Sequence, residues 1–103
     1  MKKFTFIAAL FFSTISFSQI GINEVDVDQT GTDTTEFIEI LSNSPNFSLD
    51  GYIIVLYNGN DDKSYKTVDL MGYSTDSNGF FIVGSNDTPG VDIPIGATNT
   101  IQN

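Results

Sequence analysis

The chain has 103 residues, with 13 acidic and four basic side chains and neither His nor Cys. That length holds one small domain. The composition excludes zinc sites built from Cys and His, thiol nucleophiles and any triad with a His base.

The first residues read as an address. Lys2 and Lys3 form a positive start, Phe4 to Phe12 is almost wholly apolar, and Ser13, Ser16 and Ser18 supply small residues near the end. A positive start, an apolar stretch of roughly 7–15 residues and a small-x-small site make a secretory signal peptide. Residues 1–18 are therefore expected to be removed, with Gln19 as the new first residue. The run is shorter than the roughly 20 residues that span a bilayer, so the mature chain is expected to carry no transmembrane segment. The expected location is outside the cell or on its surface.

All 13 acids follow Ser18, and Lys63 and Lys66 are the only bases that do, so cleavage leaves eleven net negative charges. Nucleic-acid affinity draws on Lys and Arg that neutralise phosphates, so no direct DNA or RNA binding is expected of this segment. Cations, or a neutral or basic partner, fit the charge better. A small secreted chain often relies on disulfides; without Cys, this one must rely on packing, partners or metal.

From Ile20 the chain reads as short strands divided by turn clusters. Ile20–Val27 is the first, with Ile20, Ile22 and either Val25 or Val27 expected inward and the phase slipping near Glu24. Gln29–Thr34 is a turn. Glu36–Leu41 is the second strand, and Pro45 keeps the following loop out of any central strand. Tyr52–Tyr57, YIIVLY, is a continuous β-branched and aromatic run of buried-strand length. Asn58-Gly59 favours a type I′ turn, although the polar run through Asp62 implies a longer loop into Ser64–Leu70. Gly72–Gly79 is a turn cluster, Phe80–Gly84 a further buried strand, and Val91, Ile93 and Ile95 alternate along an edge. The expected core residues are Ile53, Val55, Phe80 and Ile82, or their alternates in phase. Many short strands at regular spacing imply an all-β sandwich or barrel.

Seven segments stand out in order: Ile22-Asn23-Glu24-Val25, Gly31-Thr32-Asp33, Glu36-Phe37-Ile38-Glu39, Leu49-Asp50-Gly51-Tyr52, Val55 to Gly59, Asn78 to Gly84, and Thr100 to Asn103. Taken together, they resemble the lamin-tail domain family of bacterial secreted proteins. The resemblance covers nearly all of Ile20–Asn103. It implies an immunoglobulin-like β-sandwich over residues 19–103 whose closing strands would follow Asn103. It further implies a non-catalytic binding or scaffolding module for a protein or an extracellular polymer. The alternative it leaves is the N-terminal accessory domain of an extracellular hydrolase, of nuclease or phosphatase type, with catalysis beyond Asn103. The end of the signal, Ser16 to Gln19, is similar to those of Bacteroidota secreted proteins.

Chemistry is sparse. No phosphate-cradling Gly-rich motif is present, and no catalytic or cofactor-binding residue is assigned. The one metal candidate is the acidic set Asp26, Asp28, Asp33 and Glu36, since calcium takes six to eight oxygens from such turns. Asp26 to Gly31 mimics the start of an EF-hand loop, but the twelfth position, where a bidentate Glu belongs, is Phe37. The plainer reading is solvated turn and strand-face acids. Asn58–Asp62 is a second cation candidate against an exposed hairpin loop. Tyr52, Tyr57, Tyr65, Tyr73, Phe80 and Phe81 offer a sugar-stacking face or, more simply, core and edge packing.

Overall fold

The computed structural model describes residues 18–102. The expected signal therefore falls outside the described residues, apart from Ser18. The described residues hold six strands and no helix. They are β1 (Ile20–Asp26), β2 (Phe37–Ser42), β3 (Ile53–Asn58), β4 (Lys63–Asp69), β5 (Phe80–Gly84) and β6 (Ile93–Pro94). One sheet runs β1-β2-β5-β6 and the other is the β3-β4 hairpin. All pairs are antiparallel except β5 with β6, where Val83 faces Ile93 and Gly84 faces Pro94. Pro94 has no N–H to donate and sits on an edge strand, where none is needed.

The core forms where period-two alternation on the two sheets meets. Along β2, Ile38, Ile40 and Ser42 are buried, and β5 presents Phe81 and Val83 opposite Ile40 and Ile38. From the hairpin come Leu56 and Val68, joined by Leu49 and Leu70 from the adjoining turns. A second part of the core gathers Ile38 and Leu56 around Ile101, with Tyr65 and Ile95 at its margin. The described residues thus form an all-β pair of packed sheets, as the strand spacing implies.

Of the two phases the sequence leaves open in β3 and β5, the alternate one is buried. Phe81 and Val83 fill the core rather than Phe80 and Ile82, and Leu56 does so rather than Ile53 and Val55. The expectation of a strand covered on both sides fails for β3, where Ile53 is 58% and Tyr57 63% exposed. An apolar residue at every position gives no phase, and the hairpin covers only one face of the core.

Two bulges adjust the register. In β1, Ile22 faces Ile40 and Glu24 faces Glu39, so Asn23 is the extra residue, which is the phase slip the sequence shows near Glu24. Its side-chain amide donates to Glu39 Oε1 at 2.8 Å. In β4, Leu56 faces Lys66 and Tyr57 faces Ser64, leaving Tyr65 extra.

The hairpin loop is longer than two residues, as the polar run through Asp62 implies. Asn58 faces Lys63 across four loop residues, and Asp62, at φ 54°, takes the left-handed conformation. The Asp62 amide donates to the Asn58 carbonyl at 2.9 Å. Four-residue hairpin loops of this kind are a common alternative.

Candidate functional site

The acidic set does not converge. Asp26 and Asp33 meet through Gln29: the Gln29 amide donates to Asp33 Oδ1 at 2.8 Å and its side-chain amide to Asp26 Oδ1 at 3.2 Å. The Thr35 amide in turn donates to Gln29 Oε1 at 3.1 Å. Asp28 is exposed. Glu36 points the other way, into the protein, and is fully buried. Among the described residues no three His, Cys, Asp or Glu side chains stand together as a metal-binding group.

Glu36 is instead the hub of a polar knot that sequence reasoning did not find. Its Oε2 accepts from the Thr100 amide, the Thr100 hydroxyl at 3.0 Å and the Ile101 amide at 3.3 Å. Its backbone carbonyl accepts from the Ser85 amide at 2.8 Å and the Thr88 hydroxyl at 3.0 Å. Ser85 and Thr100 share a hydroxyl hydrogen bond of 3.0 Å. Its Oε1 is buried with no hydrogen-bond partner. Gly84 completes the knot: a Cβ there would lie 2.4 Å from the Glu36 carbonyl oxygen, so only glycine lets the chains approach. The knot ties residues 85–101 to the start of β2.

The second cation candidate, Asn58–Asp62, spends its side chains on its own backbone. Asn58 Oδ1 accepts from the Asn60 amide at 2.8 Å and Asp61 Oδ1 from the Lys63 amide at 3.1 Å. Such Asx bonds are what these residues do in turns.

The six aromatics do not share one face. Phe81 is buried, and Phe80 and Tyr65 are half-buried. Tyr73 stands edge-on to Phe81 with ring centres 5.4 Å apart, and Tyr52 leans on Phe47 at 6.2 Å. Tyr57 is exposed at the far end of β3 from Tyr52.

What the fold does leave open is a seam between β1 and β3. Residues facing each other across an antiparallel pair project to the same side of a sheet. Ile22 faces Ile40 and Val25 faces Ile38, so both lie on the core side of β1. Yet Ile22 is 67% and Val25 51% exposed. The hairpin has half as many strands as the sheet it packs against, and it stops short of β1. A cavity of about 240 Å³ remains there, lined by Ile20, Ile22, Ile40, Ile53, Val55 and Leu70 among others.

At the opposite margin, two side chains of β4 reach the segment that follows β6. Lys66 Nζ donates to the Ile95 carbonyl at 2.8 Å, and the Gln102 amide donates to the Tyr65 hydroxyl at 2.9 Å, so residues 95–102 lie along β4. Among the described residues no helix is long and apolar enough to cross a membrane. Comparison with known proteins gives no matching family model, no matching curated protein and no matching solved structure.

Proposed function

We propose that this chain, exported and cleaved before Gln19, is a non-catalytic binding module of a secreted or cell-surface protein, built on a lamin-tail-like sandwich. The observation that carries the reading is the uncovered apolar side of β1 next to β3. Isolated apolar residues on a surface are ordinary, but contiguous apolar surface at the mouth of a groove marks an interaction site. Ile22 and Ile53 both line the cavity and are each more than half exposed. The scaffold and compartment in this reading rest on the signal-like residues 1–18 and on the lamin-tail resemblance of Ile22–Glu39, Leu49–Tyr52 and Asn78–Gly84. The partner is a protein or an extracellular polymer, neutral or basic in charge, because the exported chain carries eleven net negative charges.

The test uses the exported protein recovered from culture medium. Mass spectrometry is expected to give Gln19 as the first residue. Carboxylate-directed cross-linking is expected to give a discrete adduct, and phosphomonoester and phosphodiester substrates are expected to show no turnover. A chain that retains residues 1–18 overturns the exported form. Turnover that copurifies with the chain overturns the non-catalytic reading in favour of the hydrolase alternative.

A further inference from the structure

We infer that the seam between β1 and β3 receives an extended segment of a partner protein as a third strand on β3, with apolar residues at alternate positions and Lys or Arg between them. This deepens the binding-module reading and rests on it.

The backbone supplies the first half of the argument. The Leu70 amide donates to the Tyr52 carbonyl at 3.1 Å, which makes Tyr52 and Leu70 a hydrogen-bonded pair across the hairpin. The same register continues through Ile53 with Asp69, Ile54 with Val68 and Val55 with Thr67. Hydrogen-bonded and non-hydrogen-bonded pairs alternate in an antiparallel ladder. Ile54 therefore spends its backbone groups on β4, while the N–H and C=O of Ile53 and Val55 point away from β4, toward the seam. An unpaired strand edge is a template for an added strand, and main-chain bonding to such an edge is a recurring way to hold an extended peptide.

The apolar cover supplies the second half. Strands in a sheet lie roughly 4.8 Å apart, so one strand added to β3 widens the smaller sheet by that much and extends it over β1. The side chains on its inner face, every second residue, would meet Ile20 and Ile22, the latter now 67% exposed. The free edge and the uncovered apolar strip occur on the same side of the sandwich. On the β4 side, the Lys66 and Tyr65 side chains hold residues 95–102 alongside the hairpin.

Charge selects the occupant. Two copies of an exported chain with eleven net negative charges repel each other. A strand with Lys or Arg on its outer face is attracted to that net charge and to Asp69, which faces Ile53 on the outer face of the hairpin; electrostatic complementarity of this kind favours encounter and suppresses wrong partners.

The test probe is a nine-residue peptide alternating Ile and Lys, added to isotope-labelled exported protein, with amide hydrogen exchange followed residue by residue. Exchange at Ile53 and Val55 is expected to slow at least about tenfold, as pairing converts open amides to bonded ones. Methylating the backbone nitrogens on the edge-facing side of the peptide is expected to abolish the effect without altering the protein. Ile22→Lys, at a position already exposed, is expected to weaken binding about tenfold by setting a charge against the apolar face of the peptide.

Four results would overturn the inference. One is unchanged exchange at Ile53 and Val55; another is equal protection from a peptide alternating Ser and Lys, or Ile and Glu. The third is protection that rises with protein concentration alone, which would make a second copy the occupant. The fourth is an N-methylated peptide that binds as well as its parent. A cross-linked adduct formed elsewhere on the protein, with Ile53 and Val55 unaffected, removes this inference but leaves the binding-module reading standing.

Discussion

Glu36 Oε2 accepts hydrogen bonds from both the amide and the hydroxyl of Thr100, 64 residues further along the chain. With the Ile101 amide it satisfies three donors from one buried carboxylate oxygen. The relationship explains how a stretch with almost no regular structure, residues 85–101, is held over the core with Ile101 inserted beside Ile38 and Leu56.

Removing that carboxylate strands buried donors at Thr100 and Ile101. Unsatisfied buried polar groups cost about 1–3 kcal/mol each. Glu36→Ala is expected to lower stability by about 2–4 kcal/mol on that basis. Glu36→Gln keeps an acceptor for the same donors and is expected to cost less. Urea unfolding of the two variants checks the order; equal losses would mean that the acceptor at Oε2 is not what matters.

Glycine positions separate steric from conformational effects. Gly84→Ala would drive a Cβ to 2.4 Å from the Glu36 carbonyl oxygen, against backbone that cannot swing away. Overpacking of this kind costs typically about 1–3 kcal/mol. Gly51 and Gly72, both at φ 84°, have open space around the same atom, so Ala there meets only the left-handed penalty, about 1–2 kcal/mol. Thermal melts are expected to rank Gly84→Ala as the more damaging. Gly84→Ala melting with the parent would contradict the close approach of β5 to Glu36.

Burial phase is tested by charge. Leu56→Asp and Val83→Asp place an unpaired carboxylate in the core and are expected to cost several kcal/mol, as such burial does. Ile53→Asp adds an acid to a residue already 58% exposed and is expected to change stability by no more than about 0.5 kcal/mol, as surface substitutions usually do. Circular dichroism under urea separates the two groups.

Most strand positions could be read before the fold was in view. The run Phe80–Gly84 coincides with β5, and Glu36–Leu41 and Ser64–Leu70 each sit one residue from β2 and β4. Turn chemistry and period-two patterning are local, so the residues carry them openly. Phase was hidden in YIIVLY because every position is apolar; only the partner sheet decides which face is covered. Glu36 was misread as a surface acid beside Asp33 because its partners lie in Thr100 and Ile101, beyond the reach of local spacing. The seam was hidden for the same reason, since Ile22 and Val25 do face the core side and only the width of the opposite sheet leaves them uncovered.

Calcium bears on the loop from Asp26 to Glu36. Three of its four acids already accept hydrogen bonds from protein donors, and a calcium ion would have to displace some of them. Melting temperature is expected to be the same in millimolar calcium and in excess chelator, on the order of the millimolar affinities of extracellular calcium modules. A rise with calcium that Asp26→Asn or Asp33→Asn abolishes would establish a site there.

The binding seam requires that β3 have one bonded side and one open side. Native-state amide exchange of the free protein reads this directly. Ile54 and Leu56 are expected to exchange slowly, with the hairpin, while Ile53 and Val55 exchange faster by orders of magnitude, since open edge amides need no unfolding to exchange. Equal protection at all four residues would mean that the edge is already covered, and the seam would then not be a binding site.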